Sequence, residues 1–489
     1  MAVVEDDARE SAHRTVDRAG FTNTIILPEE EDQKTMYVKQ FYTPGLAHCS
    51  YLIGGNTQCI IVDPDRYVDQ YIEAAKGYNL KITAIIETHL HADFVSGHLE
   101  LAALTGAPIY MSEKAQAGFP HVALKDQEEF VVDTLRIEMF STPGHTPEGS
   151  IFTVADLERG PESCLALTGD TLLVGDVGRP DLFPDLKEQL ARHLFVSLKQ
   201  IMPMGDHVEV YPAHGMGSLC GRALSAKLQS TIGVERLHNY ALAIDTEEEF
   251  SRMLLDGMPE APDHFSRCSE TNRLGPTLLS ELGEARALKV QAFLEQRTSG
   301  AVVVDTRDQL GFAAAHVPCA YSLPLQGNYA TFSGWILPPD QPVLLILERP
   351  QDLASAVAGL RRVGIDRIAG YLEGGMTTWA NAGLQTNSVE SISVIELKRR
   401  LDETDLLLLD TRLASEWEDG HIAAALHAVA PDVRHRYEEW DPQKPVALIC
   451  NSGNRSVVAA SLLKQRGFEH VVNVIGGTQA WQAAGFPLV

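Results

Sequence analysis

Two stretches of the chain repeat one another, and that repeat limits the architectures open to it. "VVVDTRDQLGFAAAHVP" (Val302–Pro318) resembles "LLLDTRLASEWEDGHIA" (Leu407–Ala423), and "YLEGGMTTWANAG" (Tyr371–Gly383) resembles "NVIGGTQAWQAAG" (Asn473–Gly485). Asp305 recurs as Asp410 and Trp379 as Trp481, a period of about 100 residues, the size of one small domain. Each copy reads as strand, helix, strand, helix, which predicts two small parallel α/β domains. The whole chain has 489 residues, enough for two to four domains. The expected division is a tail over 1–34, a first domain over 35–275, and the two copies over 276–387 and 388–489. The polar, Pro-containing stretch Asp256–Pro276 and the short stretch Asn387–Val394 read as linkers.

Charge and composition narrow the partners. A net charge of -26 argues against nucleic acid and against docking on an anionic membrane, since both would repel it. No run approaches the roughly 20 apolar residues that span a bilayer. The N-terminal sequence is polar and acidic, without the basic-then-apolar pattern of an export signal, so a cytoplasmic location is expected. Seven scattered cysteines, with no C-x-x-C pair, suit reduced thiols better than a disulfide framework.

The first domain carries three motifs in order. They are His89-x-His91-x-Asp93 after the apolar run "KITAII", "TPGHTPEGS" around His145, and "LTGDTLL" around Asp170. A lone histidine is usually a packed core residue. Three such motifs just past strand ends, flanked by glycine, favour a metal site instead. Imidazoles and carboxylates suit zinc or iron. "HVEVYPAHG" adds His214 at the exit of another strand, and "HGMGSLCGR" places Cys220 nearby.

This combination resembles the metallo-β-lactamase superfamily, which implies an αββα first domain in an α/β chain, with Asp63 as its structural aspartate. Two-metal hydrolases of that fold use a further histidine directly after the motif aspartate. Here that position is Phe94, which cannot ligate; Asp93 and His214 remain, and His98 is a candidate substitute. The narrower resemblance is to the persulfide dioxygenases of the superfamily. It implies one Fe(II) per chain held by His89, His145 and Asp170, a two-His-one-carboxylate triad that leaves open positions on the ion. His91, Asp93, His214 and Cys220 then stand behind the ligands; the rival assignment makes His91 a ligand. Arg179, in "GDVGRPDLF", and Tyr211 are the implied substrate-binding residues. Their alternatives are a structural ion pair and a packed core tyrosine.

In the last copy, "PVALICNSGNRSVVAASLL" (Pro445–Leu463) reads as strand, short loop, helix, with Cys450 at the strand end. A loop of Asn451, Ser452, Gly453 and Asn454, followed by a helix N-terminus and Arg455, directs N–H groups and positive charge at the sulfur and favours a thiolate. With D-T-R at Asp410, G-H-I at His421 and the final G-G-x-x-x-W, this resembles the rhodanese family. That implies Cys450 as nucleophile and persulfide carrier, with Arg455 beside it. Four residues separate Cys450 from Arg455, one fewer than in the phosphatases that share the loop logic. The earlier copy has Glu348 in the cysteine's place and reads as a catalytically silent scaffold.

The order of domains resembles the bacterial fusions of persulfide dioxygenase with tandem rhodanese domains. It implies oxidation of a low-molecular-weight thiol persulfide (glutathione, coenzyme A or similar) by O2 to thiol and sulfite. It also implies sulfur exchange among persulfide, sulfite and thiosulfate at Cys450, in a homo-oligomer. The alternatives are a glyoxalase-II-like zinc thioesterase, which would need two metals, and a non-catalytic persulfide sensor or relay. If Phe94 keeps the site mononuclear, Phe94→His acquires a second metal ion per chain, measured by elemental analysis; an unchanged metal count contradicts that role.

Overall fold

The computed structural model describes residues 36–222, 224–258 and 260–489. The expected tail over 1–34 lies outside them. Two six-stranded sheets build the first domain. One runs in the order Tyr37–Thr43, His48–Gly54, Gln58–Val62, Lys81–Ile86, Ile109–Ser112, Val122–Leu124. The other runs Ser230–Thr231, Glu209–Pro212, Leu165–Gly169, Ser150–Asp156, Leu135–Ser141, Glu129–Val132. Tyr51, Ile53, Val62 and Ile86 of the first sheet pack against Ile137, Phe152, Val154 and Leu167 of the second. Alternate residues of the same strands face outward. Leu52 and Ile61 meet Tyr71 and Leu101 of the helices Asp69–Gly77 and His98–Thr105. Ile151 and Ala166 meet Leu194, Leu198 and Phe250 of the helices Lys187–Ile201 and Glu247–Leu255. Strands buried on both faces between helix layers give the αββα arrangement.

The repeat forms two all-parallel, five-stranded sheets with the same strand order. The middle one is Ala287–Leu288, Ile368–Leu372, Val343–Ile346, Val302–Asp305, Tyr321–Ser322; the last is Glu390–Ile392, Val471–Val474, Val446–Ile449, Leu407–Asp410, Ala425–His427. The shared motifs hold the chain rather than perform chemistry. In each copy the D-T-R arginine forms a buried two-pronged pair with its aspartate, Arg307 with Asp305 and Arg412 with Asp410, both closing at 2.7 Å. Each final tryptophan donates its indole N–H to a carbonyl six residues on, Trp379 to Gln385 and Trp481 to Pro487, both at 2.9 Å.

Both stretches read as linkers are built structure. Asn387–Val394 contains the edge strand Glu390–Ile392 of the last sheet. Asp256–Pro276 contains the helix His264–Leu274, whose inward positions include His264, Cys268 and Asn272. Phe265 is buried as well, so two of the four buried positions are polar and apolar residues mark only part of the inward face.

The middle domain docks on the first through buried charge. Arg362 Nε donates to Asp65 Oδ2 at 2.7 Å, and Arg66 pairs with both oxygens of Asp366 at 2.6 and 2.8 Å. Asp65 and Arg66 are both buried. Phe94 and Leu46 of the first domain share one apolar cluster with Ala330, Trp335 and Ile336 of the middle domain and Val457 of the last. Removing one partner of a buried pair leaves an uncompensated charge, at a cost of about 3–5 kcal/mol. Arg362→Ala is therefore expected to lower the first unfolding transition by roughly that amount, read by denaturant titration.

Candidate metal centre and sulfur-transfer loop

The strands Gln58–Val62 and Lys81–Ile86 run parallel and end side by side. Asp63 lies just past the first, at a left-handed φ of 49°, and its carboxylate reaches over the exit of the second. Its Oδ1 accepts from Thr88 N–H at 2.7 Å and its Oδ2 from the Thr88 hydroxyl at 2.8 Å. The Thr88 hydroxyl has one proton, and it is donated in the hydrogen bond to Asp63. Thr88 Oγ1 therefore accepts from His89 Nδ1, 2.9 Å away, and His89 keeps its lone pair on Nε2. His145 is fixed in the same tautomer. Its Nδ1 donates at 2.9 Å to the carbonyl of Arg179, an atom that can only accept.

The two Nε2 atoms converge on Asp170 Oδ2, 3.8 Å from His89 and 3.3 Å from His145. Both are buried without a hydrogen-bond partner among the described residues. Ligands about 2.1 Å from one ion at tetrahedral or octahedral angles lie roughly 3.0–3.4 Å apart, so these three atoms fit a metal after a small closure. Burial, reinforced by the His91, His145 and His214 rings, holds His89 well below the ordinary histidine range. Burial likewise lowers His145, against the pull of Asp170. Both are thus neutral, as a ligand must be.

A second group, His91, Asp93 and His214, lies beside the first. His214 directs Nδ1 at both oxygens of Asp170, 2.8 and 2.9 Å away, and Nε2 at Asp93 Oδ2, 2.9 Å away. Although burial opposes it, these carboxylates hold the His214 ring well above the ordinary range. His91 Nε2 faces Asp63 and Glu87, at 3.4 and 3.9 Å, while its ring lies 4.1 Å from that of His89. Phe94 is fully buried, its ring 4.5 Å from that of His91 and 4.1 Å from that of His48. His98 faces Glu87 at 3.3 Å, stands outside both groups, and does not replace the histidine missing at 94.

Three other expected residues lie as follows. Cys220 Sγ comes within 4.8 Å of ligand atoms of Asp170 and His214. Burial, then the charges of Asp93 and Asp170, push its thiol well up, so it stands there protonated. Arg179 is buried and forms a two-pronged pair with Asp181 at 2.7 and 2.8 Å, with a further bond to the Leu219 carbonyl at 3.2 Å. Its guanidinium is thus paired within the fold, and its backbone carbonyl accepts from His145 at the metal centre. Tyr211 is packed in the core, the alternative the sequence also left open. Its ring sits in the core between the sheets, edge-on to Tyr51 at 5.4 Å, and its hydroxyl donates to Glu209 at 2.7 Å. Residues two apart on a strand share a face, which pairs Tyr211 with Glu209.

Three further residues of this centre, one of them inside the His145 motif, were not among the expected site residues. His48 is buried at 4.1 Å from Phe94, on a strand that reads as plain core. Glu148 accepts from Leu90 N–H at 3.0 Å. Asn272 donates to the carbonyls of His91 and Phe94 at 2.7 and 2.8 Å and accepts from Ser96 N–H at 2.8 Å. It lies in the stretch read as a linker.

In the last domain Cys450 follows the strand Val446–Ile449 and is fully buried. Gly453, at φ 108°, turns its N–H onto Sγ at 3.1 Å, and the Ser456 hydroxyl lies 3.5 Å from the same atom. The helix Asn454–Gln465 starts at this point. Arg455 is held beside the loop by a two-pronged pair with Glu416. Asn451, Ser452, Asn454 and Arg455 line one side of a cavity of about 220 Å³. Tyr329 and Phe332 of the middle domain line the other.

Two family models match the chain. The metallo-beta-lactamase superfamily model matches residues 43–214, and the rhodanese-like domain model matches 289–382 and 393–484. A solved metallo-beta-lactamase from Staphylococcus aureus subsp. aureus COL is 31% identical with a TM-score of 0.63, covering 69% of this chain and 98% of that one. Thiosulfate sulfurtransferase GlpE of Coxiella burnetii is 33% identical over 94 residues, 19% of this chain and 88% of its own. Hydroxyacylglutathione hydrolase of Methylococcus capsulatus is 31% identical over 249 residues, 50% of this chain and 89% of its own. The mitochondrial persulfide dioxygenase ETHE1 of Bos taurus is 24% identical over 214 residues, 43% of this chain and 78% of its own. The chain belongs to the metallo-beta-lactamase superfamily and carries two tandem rhodanese-like domains behind its metal-site domain.

Proposed function

We propose that the first domain is an iron-dependent persulfide dioxygenase and the last a sulfurtransferase that handles the same sulfur. The observation that carries this reading is the pairing of two tautomer-fixed histidines and Asp170 with Phe94 at the position where a second site would need a ligand. One persulfide RSSH, one O2 and one water give the thiol RSH, sulfite and two protons. Bound Fe(II) would supply the redox chemistry that brings O2 to the persulfide. His89, His145 and Asp170 would hold it. The chain's own part is to present neutral imidazoles through the Thr88 and Arg179 contacts. It also ties His214 between Asp170 and Asp93 and keeps the pocket apolar at Phe94.

At the other site Cys450 takes sulfane sulfur. Its thiolate attacks the terminal sulfur of a persulfide, the S–S bond breaks, and the carrier leaves as its thiol. The resulting Cys450 persulfide gives that sulfur to sulfite, which yields thiosulfate and restores the thiolate. The Gly453 N–H holds the sulfur, and Arg455, braced by Glu416, sets positive charge beside it. Sulfite made in the first domain is thus the acceptor in the last, and the joint outcome is detoxification of sulfide-derived persulfides.

The zinc thioesterase reading is supported by the His91–Asp93–His214 group and by the hydrolase likeness, and it predicts hydrolysis of acyl-glutathione. The dioxygenase reading predicts none, and instead oxygen uptake by anaerobically iron-loaded protein given glutathione or coenzyme A persulfide. No uptake with any persulfide would remove it. Cys450→Ser is expected to retain oxygen uptake and abolish sulfur exchange with thiosulfate; equal loss of both would contradict two separate sites. Thr88→Val keeps the side-chain shape but removes the relay between Asp63 and His89. Metal affinity, measured by competition with a chromophoric chelator, is expected to fall about 10- to 100-fold.

A further inference from the structure

The middle domain has Glu348 where a nucleophile would stand, yet its own D-T-R loop reaches the Cys450 loop. Gln309 opens the helix Gln309–Ala314, four residues after Asp305. Its Nε2 donates to the Ser452 carbonyl at 3.4 Å, and its Oε1 accepts from Asn473 Nδ2 at 3.4 Å. Asn473 Oδ1 in turn accepts from the Ser456 hydroxyl at 2.6 Å, and that hydroxyl lies against Cys450 Sγ. The Gln309 amide also covers Gly453. A Cβ built on that glycine would lie 2.1 Å from Gln309 Oε1. Gly453 is the residue whose N–H faces the sulfur, and its left-handed backbone is one that glycine adopts without strain.

The two D-T-R loops therefore serve one cysteine from opposite sides. The last domain's loop supplies Glu416, which holds Arg455; the middle domain's loop supplies Gln309, which holds Ser452, Gly453 and Asn473. We propose that Gln309 of the silent domain is a positioning residue for sulfur transfer at Cys450, fixing the loop whose N–H groups face the persulfide. This rests on the sulfurtransferase reading of the last domain. Gln309 acts through Gly453 and Asn473, so its loss lowers turnover more than substrate binding.

The test uses the full-length chain and thiosulfate–cyanide exchange. Thiosulfate gives its sulfane sulfur to the Cys450 thiolate and leaves as sulfite; cyanide then takes that sulfur as thiocyanate and restores the thiolate. Gln309→Ala is expected to lower kcat about tenfold while KM for thiosulfate stays within about twofold, with oxygen uptake unchanged. Gln309→Glu fills the same space but faces the Ser452 carbonyl with an acceptor, and is expected to lower kcat as well. It decides the matter if the alanine variant also loses oxygen uptake through misfolding. Wild-type kcat in the glutamate variant, or in a folded alanine variant, overturns the proposal. If the wild-type chain gains no sulfur at Cys450 by mass spectrometry, the sulfurtransferase reading itself fails and the proposal falls with it.

Discussion

One hydroxyl proton sets the state of the metal centre. Thr88 donates its one hydroxyl hydrogen bond to Asp63, which obliges its oxygen to accept from His89 and leaves the His89 lone pair on Nε2. Asp63 itself is set by two strand ends and a left-handed turn, so the tautomer of a ligand is written into the register of a sheet. His145 reaches the same state through the Arg179 backbone, whose side chain is locked to Asp181. Both imidazoles are thus preorganised by neighbours other than the converging donors themselves.

The loop that carries His89 is held from outside its own domain. Val95 N–H donates to the Arg362 carbonyl at 2.6 Å, and the same arginine's side chain holds Asp65. Thr331 donates to the Gly45 carbonyl at 3.0 Å, in the turn that leads to His48. Next to Thr331, Tyr329 and Phe332 wall the cavity at the Cys450 loop. The middle domain, with Glu348 at the position that matches Cys450, thus touches the structural supports of both sites.

Much of this was legible in the sequence, for reasons that particular residues show. The motifs around His89, His145 and Asp170 stood out because a metal needs several donors at one point and strand ends supply them, whereas the preference for these three over His91 came from the family resemblance. The two α/β domains could be found because Asp305–Arg307 and Trp379 solve the same packing problem as Asp410–Arg412 and Trp481. Asn272 was hidden because its helix buries polar as well as apolar groups, so apolar residues mark only part of its inward face. His48 was hidden because strand burial looks alike for a packed histidine and a packed leucine. The fates of Arg179 and Tyr211 depend on Asp181 and Glu209, each two residues away. For Tyr211 the strand period already implied the shared face, whereas for Arg179 nothing in the motif distinguished a structural pair from a hold on substrate.

The proposed dioxygenase needs one redox metal ion in this fold rather than a hydrolytic pair. Elemental analysis of the chain purified without oxygen and reconstituted with iron and zinc in competition tests it most directly. The account predicts one iron ion per chain, lost on His145→Ala and retained on Asp93→Asn. Two zinc ions per chain, with Asp93→Asn removing one of them, would contradict it.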